Sequence, residues 1–358
     1  MRFLLAGGGT GGHVNPLLAL AELLRSEGHE VVALGTEEGL EKRLVPERGF
    51  ELVTIPRLPL PRRLSPKILS FPFRLLASSL TVRSMIRSRS IDAVVGFGGY
   101  ASAPAYFGAW FAKVPLVIHE ANAIAGFANR LGARFTKHRA IAFANSNLSG
   151  GTLTGMPIRK ELVEGALNYD SGQARVELGL DPLRPTLLVT GGSQGARSIN
   201  EAVIAALPDL NNAGIQVLHI VGEKAGLDEL NTPGYLRLTY CDRMDAAIAA
   251  SDLAISRAGA STVSEFAAAG LPAVLVPYPV GNGEQRHNAA SVIAAGGAEL
   301  CEDSAFNAEY IAERVIPILS HKATLKKMSD AARSTGIRDA TERLRDMLYA
   351  AVDTGSDD

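Results

Sequence analysis

The sequence has only two cysteines and no long uncharged apolar run. Cys241 and Cys301 lie far apart in a chain of 358 residues and lack the spacing of metal ligands, so we expect neither a disulfide framework nor a zinc site. The apolar run after Arg2 covers only Phe3 to Ala6, too short for the apolar core of a secretory signal. No uncharged apolar stretch reaches the ~18 residues that a spanning helix needs. These absences predict a reducing compartment and a chain that does not cross a membrane.

Acidic residues are absent between Glu51 and Asp92, where basic and large apolar residues are interleaved. The net charge of the chain is −1, yet residues 1–160 carry 20 Lys and Arg against 10 Asp and Glu. Such a basic segment is typical of a surface that lies on anionic lipid, each cation contributing about 1 kcal/mol. The alternative is a pair of ordinary helices with solvated arginines. The basic residues are Arg57, Arg62, Arg63, Lys67, Arg74, Arg83, Arg87 and Arg89, and the apolar ones include Leu69, Phe71 and Phe73.

Four short apolar runs lead directly into glycine-rich turns. Glycine allows a positive φ and lets backbone N–H groups approach an anion, and a following helix adds about half a positive charge at its N-terminus. Because two of these turns lie in each half of the chain, we expect a diphosphate compound to bind in a cleft between two α/β domains. The turns are residues 7–13, 96–100, 191–196 and 257–262.

Strand-length apolar runs alternate with helix-length stretches along the chain. This order predicts parallel sheets with helices on both faces. The pattern restarts after residue 157, so we place a domain junction near residues 156–159. The clearest helix covers residues 14–27, and a last helix from residue 340, which suits either domain, precedes a frayed tail. The predicted strands cover residues 2–6, 30–34, 92–95, 116–119, 140–144, 186–190, 216–221, 252–256 and 273–277.

The first turn ends in a histidine where a helix begins. Gly7, Gly9 and Gly12 satisfy the dinucleotide pattern G-x-G-x-x-G, but only Glu37 lies near the position of the acid that holds a ribose hydroxyl, so the pattern is a weak indication. The positive end of the helix dipole favours a neutral imidazole, which suits His13 to be a general base. The alternative is that His13 is only a partly exposed residue at a helix start.

Glu265 also has two interpretations. It follows Thr262 by three residues, the spacing of a capping box, in which it bonds the first amides of a helix. It also lies one turn inside a helix after a glycine turn, where a carboxylate is placed to accept two hydrogen bonds from a ribose diol. Neutral amides that recognise sugar hydroxyls follow several predicted strands; they are Asn122, Asn129, Gln194, Gln285 and Asn288.

The chain contains no Asp-x-Asp, the usual carboxylate pair that holds a metal ion against a nucleotide diphosphate. We therefore expect no metal site and no cofactor. The N-termini of helices then have to stabilise the diphosphate.

The ordered motifs of the chain resemble those of the MurG family, GT-B glycosyltransferases that convert lipid I to lipid II in peptidoglycan synthesis. One motif alone is a modest indication, but the set covers essentially the whole chain in order. The resemblance implies two Rossmann-like, doubly wound parallel-sheet domains that face each other across a cleft. The motifs are GGTGGH at 8–13, GFGGY at 96–100, HE-x-N at 119–122, AG-x-x-N at 125–129, G-x-P-x-R at 155–159, GGSQGA at 191–196, RAGA-x-TVSE at 257–265 and Q-x-x-NA at 285–289.

The resemblance implies that UDP-N-acetylglucosamine is the donor, bound mainly by the C-terminal domain. It implies that Ser193 and the helix start contact the phosphates, that Glu265 holds the ribose, that the backbone at Cys241 meets the uracil, and that Gln285 binds the sugar. Where the family has Asp before that glutamine, this chain has Glu284, which leaves the sugar contacts less defined. The implied donor-binding residues are Thr10, Gly11, Gly12, Asn122, Arg159, Ser193, Cys241, Ala260, Ser261, Thr262, Val263, Ser264, Glu265 and Gln285.

The implied reaction is an inverting transfer to the 4-hydroxyl of the N-acetylmuramyl group of lipid I. His13 is the implied base and Glu120 the reserve base. The implied partners are the undecaprenyl-diphosphate-linked muramyl peptide and an anionic membrane surface, with no nucleic acid. The implied location is the cytoplasmic face of the cell membrane, as a peripheral protein of cell wall biogenesis and cell division.

The resemblance also divides the chain into parts with separate tasks. Residues 1–157 form an acceptor-binding and membrane-associating domain, residues 158–339 bind the UDP-sugar, and residues 340–358 form a C-terminal helix that packs back on the N-terminal domain. Two other functions stay open. A UDP-N-acetylglucosamine 2-epimerase uses the same architecture and donor but needs acid and base carboxylates at the sugar, and a catalytically silent module binds UDP-sugar without releasing UDP.

Overall fold

A computed structural model of the chain describes residues 1–59, 67–192 and 194–355. The described residues form fourteen strands. In chain order they are β1 (Arg2–Ala6), β2 (Glu30–Gly35), β3 (Glu51–Thr54), β4 (Ala93–Gly96), β5 (Leu116–Glu120), β6 (His138–Ile141), β7 (Thr152–Leu153), β8 (Thr186–Thr190), β9 (Gln216–Ile220), β10 (Leu230–Thr232), β11 (Tyr235–Leu238), β12 (Leu253–Ser256), β13 (Ala273–Leu275) and β14 (Ala298–Leu300).

Helices alternate with these strands, as a parallel sheet requires. They are α1 (Gly11–Ser26), α2 (Glu41–Glu47), α3 (Lys67–Ser88), α4 (Ser102–Ala112), α5 (Phe127–Gly132), α6 (Lys160–Asn168), α7 (Ser171–Glu177), α8 (Arg197–Asn212), α9 (Met244–Ala249), α10 (Ala260–Ala269), α11 (Glu284–Asn288), α12 (Ala290–Ala295), α13 (Ala308–Tyr310), α14 (Ile316–Ser320), α15 (Lys322–Thr335) and α16 (Ala340–Gly355). A 3₁₀ turn (Asp303–Ala305) and a π-helical turn (Ile311–Val315) complete the set. In the described part of the chain, no helix is both long and apolar enough to cross a membrane.

The chain divides into two compact units. Unit 1 contains Met1–Arg159 and the segment from Asp339 onward, and unit 2 contains Lys160–Arg338. The described strands of unit 1 form a sheet in the order β3-β2-β1-β4-β5-β6-β7, in which all pairs are parallel. This is a doubly wound order, because β1 is followed in sequence by strands on one side and then by strands on the other.

Unit 2 repeats the same arrangement. Its described strands lie in the order β10-β11-β9-β8-β12-β13-β14, and only the pair β10 and β11 is antiparallel. The central strands are fully buried, β8 along its whole length and β12 likewise, which explains their continuous apolar sequences. The predicted fold class, two parallel-sheet α/β domains, is confirmed.

Every strand predicted from the sequence is present, with ends that differ by three residues at most. The sequence did not predict β3, β7, β10, β11 or β14. Four of these form the outer edges of the two sheets, and their side chains are mostly partly or fully exposed. An edge strand with few buried side chains lacks the apolar run that identifies a central strand.

The last helix belongs to unit 1. Leu344, Leu348 and Ala351 of α16 are buried in the same apolar cluster as Leu17 and Leu24 of α1. At the surface end of this contact, the Tyr349 hydroxyl donates to a Glu27 carboxylate oxygen over 2.5 Å. The core of unit 1 is therefore completed by residues that follow all of unit 2 in sequence.

Candidate functional site

In each unit the candidate residues lie on loops that leave the carboxyl ends of parallel strands. In unit 1 the loops after β1 and β4 flank the point where the strand order reverses, and in unit 2 the loops after β8 and β12 do so. Open α/β sheets bind ligands in the crevice at this switch point, since the two loops there leave in opposite directions. The fold therefore brings the four glycine-rich turns together in two pairs, one pair in each unit.

His13 lies in the first turn of α1, and its ring is held by the glycine loop before it. Nδ1 lies 3.1 Å from the carbonyl oxygen of Gly8 and 3.4 Å from Oγ1 of Thr10. A carbonyl oxygen only accepts hydrogen bonds, so Nδ1 carries the proton in the neutral ring. The lone pair is then on Nε2, which leaves that nitrogen able to accept a proton.

The second loop of unit 1 approaches the first closely. Gly99 has a φ of +85°, and a Cβ on it would collide with the backbone of Gly8. Gly98 has a φ of +91°, and a Cβ there would lie 3.1 Å from Nε2 of His13. Glycine at both positions therefore leaves the Nε2 side of the His13 ring clear of side-chain atoms from this loop.

Glu120, the reserve base in the sequence analysis, is buried at 2% exposure. Its carboxylate accepts from the amides of Asn122 at 2.9 Å and Gly126 at 2.9 Å, and from Nδ2 of Asn129 at 2.8 Å. The hydroxyl of Tyr106 in turn donates to the amide oxygen of Asn129 over 2.6 Å. A carboxylate engaged by three donors shapes the loop between β5 and α5, an arrangement that favours a structural role for Glu120 over a role as base.

Glu41 is a residue of this site that sequence reasoning missed. It begins α2, is fully buried, and accepts from the amide and the hydroxyl of Thr36, each at 2.9 Å, and from the amide of Gly9 at 2.8 Å. A Cβ on Gly8, Gly35 or Gly39 would collide with its carboxylate. No sequence pattern indicates this contact, because Glu41 and Gly9 are 32 residues apart and no motif joins them.

His119 lies beneath these loops and is fully buried. Its Nε2 donates to the carbonyl oxygen of Gly155 over 3.0 Å, while Nδ1 has no partner among the described residues. Burial, with a smaller contribution from the nearby His13 ring, lowers the pKa of His119 to about 4. His119 is therefore a neutral residue that ties the end of β5 to the segment leading out of unit 1.

The N-terminus of α10 is the part of unit 2 best suited to bind an anion. Gly259, the N-cap residue, makes no side-chain cap bond, and the first amides of any α-helix have no intrahelical acceptor. The hydroxyl oxygen of Ser261 is buried and has no partner among the described residues. Since α10 begins at Ala260, Thr262 lies inside the helix and cannot be the N-cap of a capping box. That alternative for Glu265 is therefore wrong.

The other predicted donor-binding residues of unit 2 lie on neighbouring loops. Glu265 is half-buried in the second turn of α10, Cys241 is buried beyond β11, and the amide oxygen of Gln285 accepts from the backbone of Tyr278 at 2.9 Å. Ser193 lies outside the described residues. Of the remaining candidates, Ala260 and Val263 are buried, Gly11, Gly12, Asn122, Arg159, Ser261, Thr262 and Ser264 are half-buried, and Thr10 is exposed.

Two family models match the chain. The glycosyltransferase family 28 N-terminal domain covers residues 3–141, and the C-terminal domain of the same family covers residues 186–344. The chain belongs to glycosyltransferase family 28. These two models cover, in turn, most of the sheet of unit 1 and the sheet of unit 2.

Curated members of the family match along the full length. A UDP-N-acetylglucosamine--N-acetylmuramyl-(pentapeptide) pyrophosphoryl-undecaprenol N-acetylglucosamine transferase of Leifsonia xyli subsp. xyli is 52% identical over 99% of this chain and 98% of that protein. The protein of the same name from Streptomyces coelicolor is 46% identical over 98% of each chain. The crystal structure of Acinetobacter baumannii MurG superimposes with a TM-score of 0.78 at 28% identity, over 98% of this chain and 99% of that one.

A family 28 chain shares its fold with enzymes of other activities. A putative UDP-N-acetylglucosamine 2-epimerase from Listeria monocytogenes superimposes with a TM-score of 0.67 at 15% identity, over 98% of this chain and 96% of that one. At that identity the likeness shows the common fold alone. Among the described residues of this family member, no group of three or more His, Cys, Asp or Glu is placed to hold a metal ion.

The low pKa of His119 predicts a loss of stability in mild acid. The unfolded chain, with an ordinary histidine pKa of ~6.5, takes up the proton first as the pH falls, so unit 1 loses stability from about pH 6.5 down to about pH 4. Between about pH 7 and pH 5 the loss from His119 should be about 2 kcal/mol. His119→Gln keeps a donor for Gly155 but does not titrate, and it should remove this part of the pH dependence. Urea unfolding at each pH, followed by the fluorescence of Trp110, the only tryptophan, measures the free energy of unfolding. An equal pH dependence of this free energy in both proteins would contradict its assignment to His119.

Proposed function

We propose that the protein transfers N-acetylglucosamine from UDP-N-acetylglucosamine to the 4-hydroxyl of the N-acetylmuramyl group of lipid I, giving lipid II. The observation that carries the proposal is the 52% identity to a curated transferase of this kind over 99% of the chain. The geometry of both units supports it, since each has a pair of glycine-rich loops at its switch point. The silent-module alternative has less support, because His13 is held in the tautomer that a base requires.

Unit 2 is the proposed donor-binding unit. The diphosphate would meet the amides of Ala260, Ser261 and Thr262, and the Ser261 hydroxyl, which has no partner in the described part of the chain, would donate to a phosphate oxygen. Glu265, one turn further along α10, would accept from the ribose hydroxyls. Val263 and Ser264 lie between these contacts on the same helix. Ser193 would add a phosphate contact on the loop after β8, the other loop at the switch point.

Three further residues complete the proposed donor contacts, two of them in unit 2 and one, Arg159, in unit 1. The backbone at Cys241 would meet the uracil edge, Gln285 would bind sugar hydroxyls, and Arg159 would contact the nucleotide. Gln285 already accepts from the backbone of Tyr278, so its amide nitrogen would donate to the sugar. In unit 1, Thr10, Gly11, Gly12 and Asn122 are proposed to contact the donor.

His13 is the proposed general base. The acceptor hydroxyl attacks the anomeric carbon on the side opposite to UDP, the bond from that carbon to the diphosphate oxygen breaks, and Nε2 of His13 takes the hydroxyl proton. Inversion follows from this single displacement. A positioned base contributes about 10² to 10⁴ in rate. The N-terminus of α10 would stabilise the charge that develops on the departing diphosphate.

The apolar side of α3 is the proposed membrane face. Leu69, Phe73, Leu76 and Leu80 recur at spacings of four, three and four, on one side of the helix, and their exposed fractions are 78%, 75%, 48% and 46%. Arg74 and Arg87 on the same helix are exposed. A helix with large exposed apolar side chains and cations fits an anionic lipid surface. Of the predicted residues, Arg62 and Arg63 lie outside the described residues, and Phe71 is half-buried.

Trp110 extends the apolar surface to the neighbouring helix. It lies on α4, which packs against α3, and it is 55% exposed. It stacks on Phe135 with ring centroids 5.5 Å apart, beside a cavity of about 410 Å³ lined mainly by apolar residues. Since lipid I stays in the bilayer, this surface would carry unit 1 to its acceptor at the cytoplasmic face of the membrane.

A labelled-donor assay tests the proposed function. Incubation with labelled UDP-N-acetylglucosamine should yield labelled lipid only when lipid I is present. His13→Ala should lower the transfer rate by about 10² to 10⁴ while the affinity for UDP stays the same. A labelled epimer formed without lipid I would identify a 2-epimerase, and UDP-sugar binding without any product would identify the silent module.

Donor recognition by Glu265 has its own test. Glu265→Gln removes the charge that strengthens the two ribose hydrogen bonds, so the affinity for UDP should fall by about 1.5 to 3 kcal/mol. Calorimetric titration with UDP measures the change. Glu309→Gln on α13, the same change at an exposed position, is the control and should bind UDP as the unaltered protein does. An unchanged affinity in Glu265→Gln would remove the ribose contact from the proposal.

The membrane face predicts weaker binding to vesicles when its apolar side chains are replaced. Each fully buried large side chain contributes about 1.5 to 3 kcal/mol, so Leu69→Ser/Phe73→Ser should lower the partition onto phosphatidylglycerol vesicles by at least about tenfold. Val176→Ser/Leu183→Ser, which replaces residues 61% and 89% exposed in unit 2, is the matched control. Sedimentation with vesicles measures the partition. Equal sedimentation of the two double variants would show that α3 is not the membrane face.

A further inference from the structure

One peptide group of the first glycine loop is hydrogen-bonded on both of its sides. Its N–H, from Gly9, donates to Oε2 of Glu41 over 2.8 Å. Its carbonyl oxygen, from Gly8, lies 3.1 Å from Nδ1 of His13. A carboxylate, a peptide group and an imidazole therefore form a continuous hydrogen-bonded chain.

The carboxylate end of this chain is rigidly held. Oε1 of Glu41 accepts both the amide and the hydroxyl of Thr36, each at 2.9 Å, at the end of β2. The backbones of Gly8, Gly35 and Gly39 pack so closely on the carboxylate that no side chain fits at these positions. A fully buried charge enclosed in this way is costly unless its hydrogen bonds are made, so the loop is fixed where Gly9 can donate.

We propose that Glu41 is a positioning residue for His13, acting through the Gly8–Gly9 peptide group. The carboxylate holds the N–H of this group, which aims the Gly8 carbonyl at Nδ1 and polarises it, because hydrogen bonds in a chain strengthen one another. The carbonyl then keeps the proton on Nδ1 and the lone pair on Nε2. The proposal rests on the proposed function for one point, that Nε2 is the atom that takes the proton of the acceptor hydroxyl.

Glutamine at position 41 cannot replace the carboxylate. Glu41 accepts on both oxygens, from Thr36 on one and from Gly9 on the other. An amide has one accepting oxygen and one donating nitrogen, so a glutamine would direct an N–H₂ group at a backbone N–H on one side. Glu41→Gln therefore breaks either the hydrogen bond from Gly9 or those from Thr36 at the end of β2. The volume of the side chain changes very little.

The tautomer of His13 is the first test, and it needs no substrate. Nitrogen-15 spectra at about pH 9, where an ordinary imidazole is neutral, should show the proton of His13 on Nδ1, with the signal assigned by its loss in His13→Ala. In Glu41→Gln a substantial share should move to the Nε2–H tautomer. Glu47→Gln, which replaces an exposed glutamate on the same helix, should leave the spectrum unchanged. An Nε2–H tautomer in the unaltered protein would overturn the proposal whether or not Glu41→Gln folds.

Steady-state transfer is the second test. Glu41→Gln should lower kcat about tenfold or more, while the donor KM changes by less than about twofold, since most of the proposed donor contacts lie in unit 2. A tautomer and kcat in Glu41→Gln equal to those of Glu47→Gln would overturn the proposal. Absence of transfer by the unaltered protein would instead refute the proposed function and leave the tautomer result standing.

Discussion

Parallel hydrogen-bonded pairing about two central strands, β1 and β8, is the constraint on which the rest of the molecule depends. Parallel pairing brings the carboxyl ends of neighbouring strands to the same edge of the sheet. Each unit therefore presents its candidate loops at one edge, and the reversal of strand order beside the central strand leaves room between two of them. His13 follows β1 in unit 1 and the start of α10 follows β12 in unit 2, so each lies on one of the two loops at the switch point of its unit.

The sequence was sufficient to predict the features that depend on local pattern. The buried strands β1 and β8 are short continuous apolar runs, and the turns after them are recognisable because a backbone that packs against another backbone or an anion requires glycine. The position of His13 at a helix start followed from the same segment. The motif order then identified the family, which the relatives along the full chain confirm.

What the sequence could not predict depends on contacts between distant segments. Glu41 is 32 residues from Gly9, and nothing about a glutamate after a turn indicates a buried acceptor. Glu120 has the residue type of a base, but its three donors come from the loop that follows it and from α5, and only the folded segment shows this. The capping-box interpretation of Glu265 failed because the helix begins two residues before Thr262, and helix ends are set by backbone geometry that a short pattern does not determine.

The position of α16 has a consequence for how the protein is made. Unit 2 is one continuous segment, so all of its residues are present once synthesis has passed Arg338. Unit 1 is not, because Leu344 and Leu348 fill its core from the far side of unit 2 in the sequence. During synthesis, the part of α1 that packs on α16 stays uncovered while about half of the chain is still being added. The segment that carries the histidine of the candidate site therefore leaves the ribosome before unit 2 but is completely packed only after it.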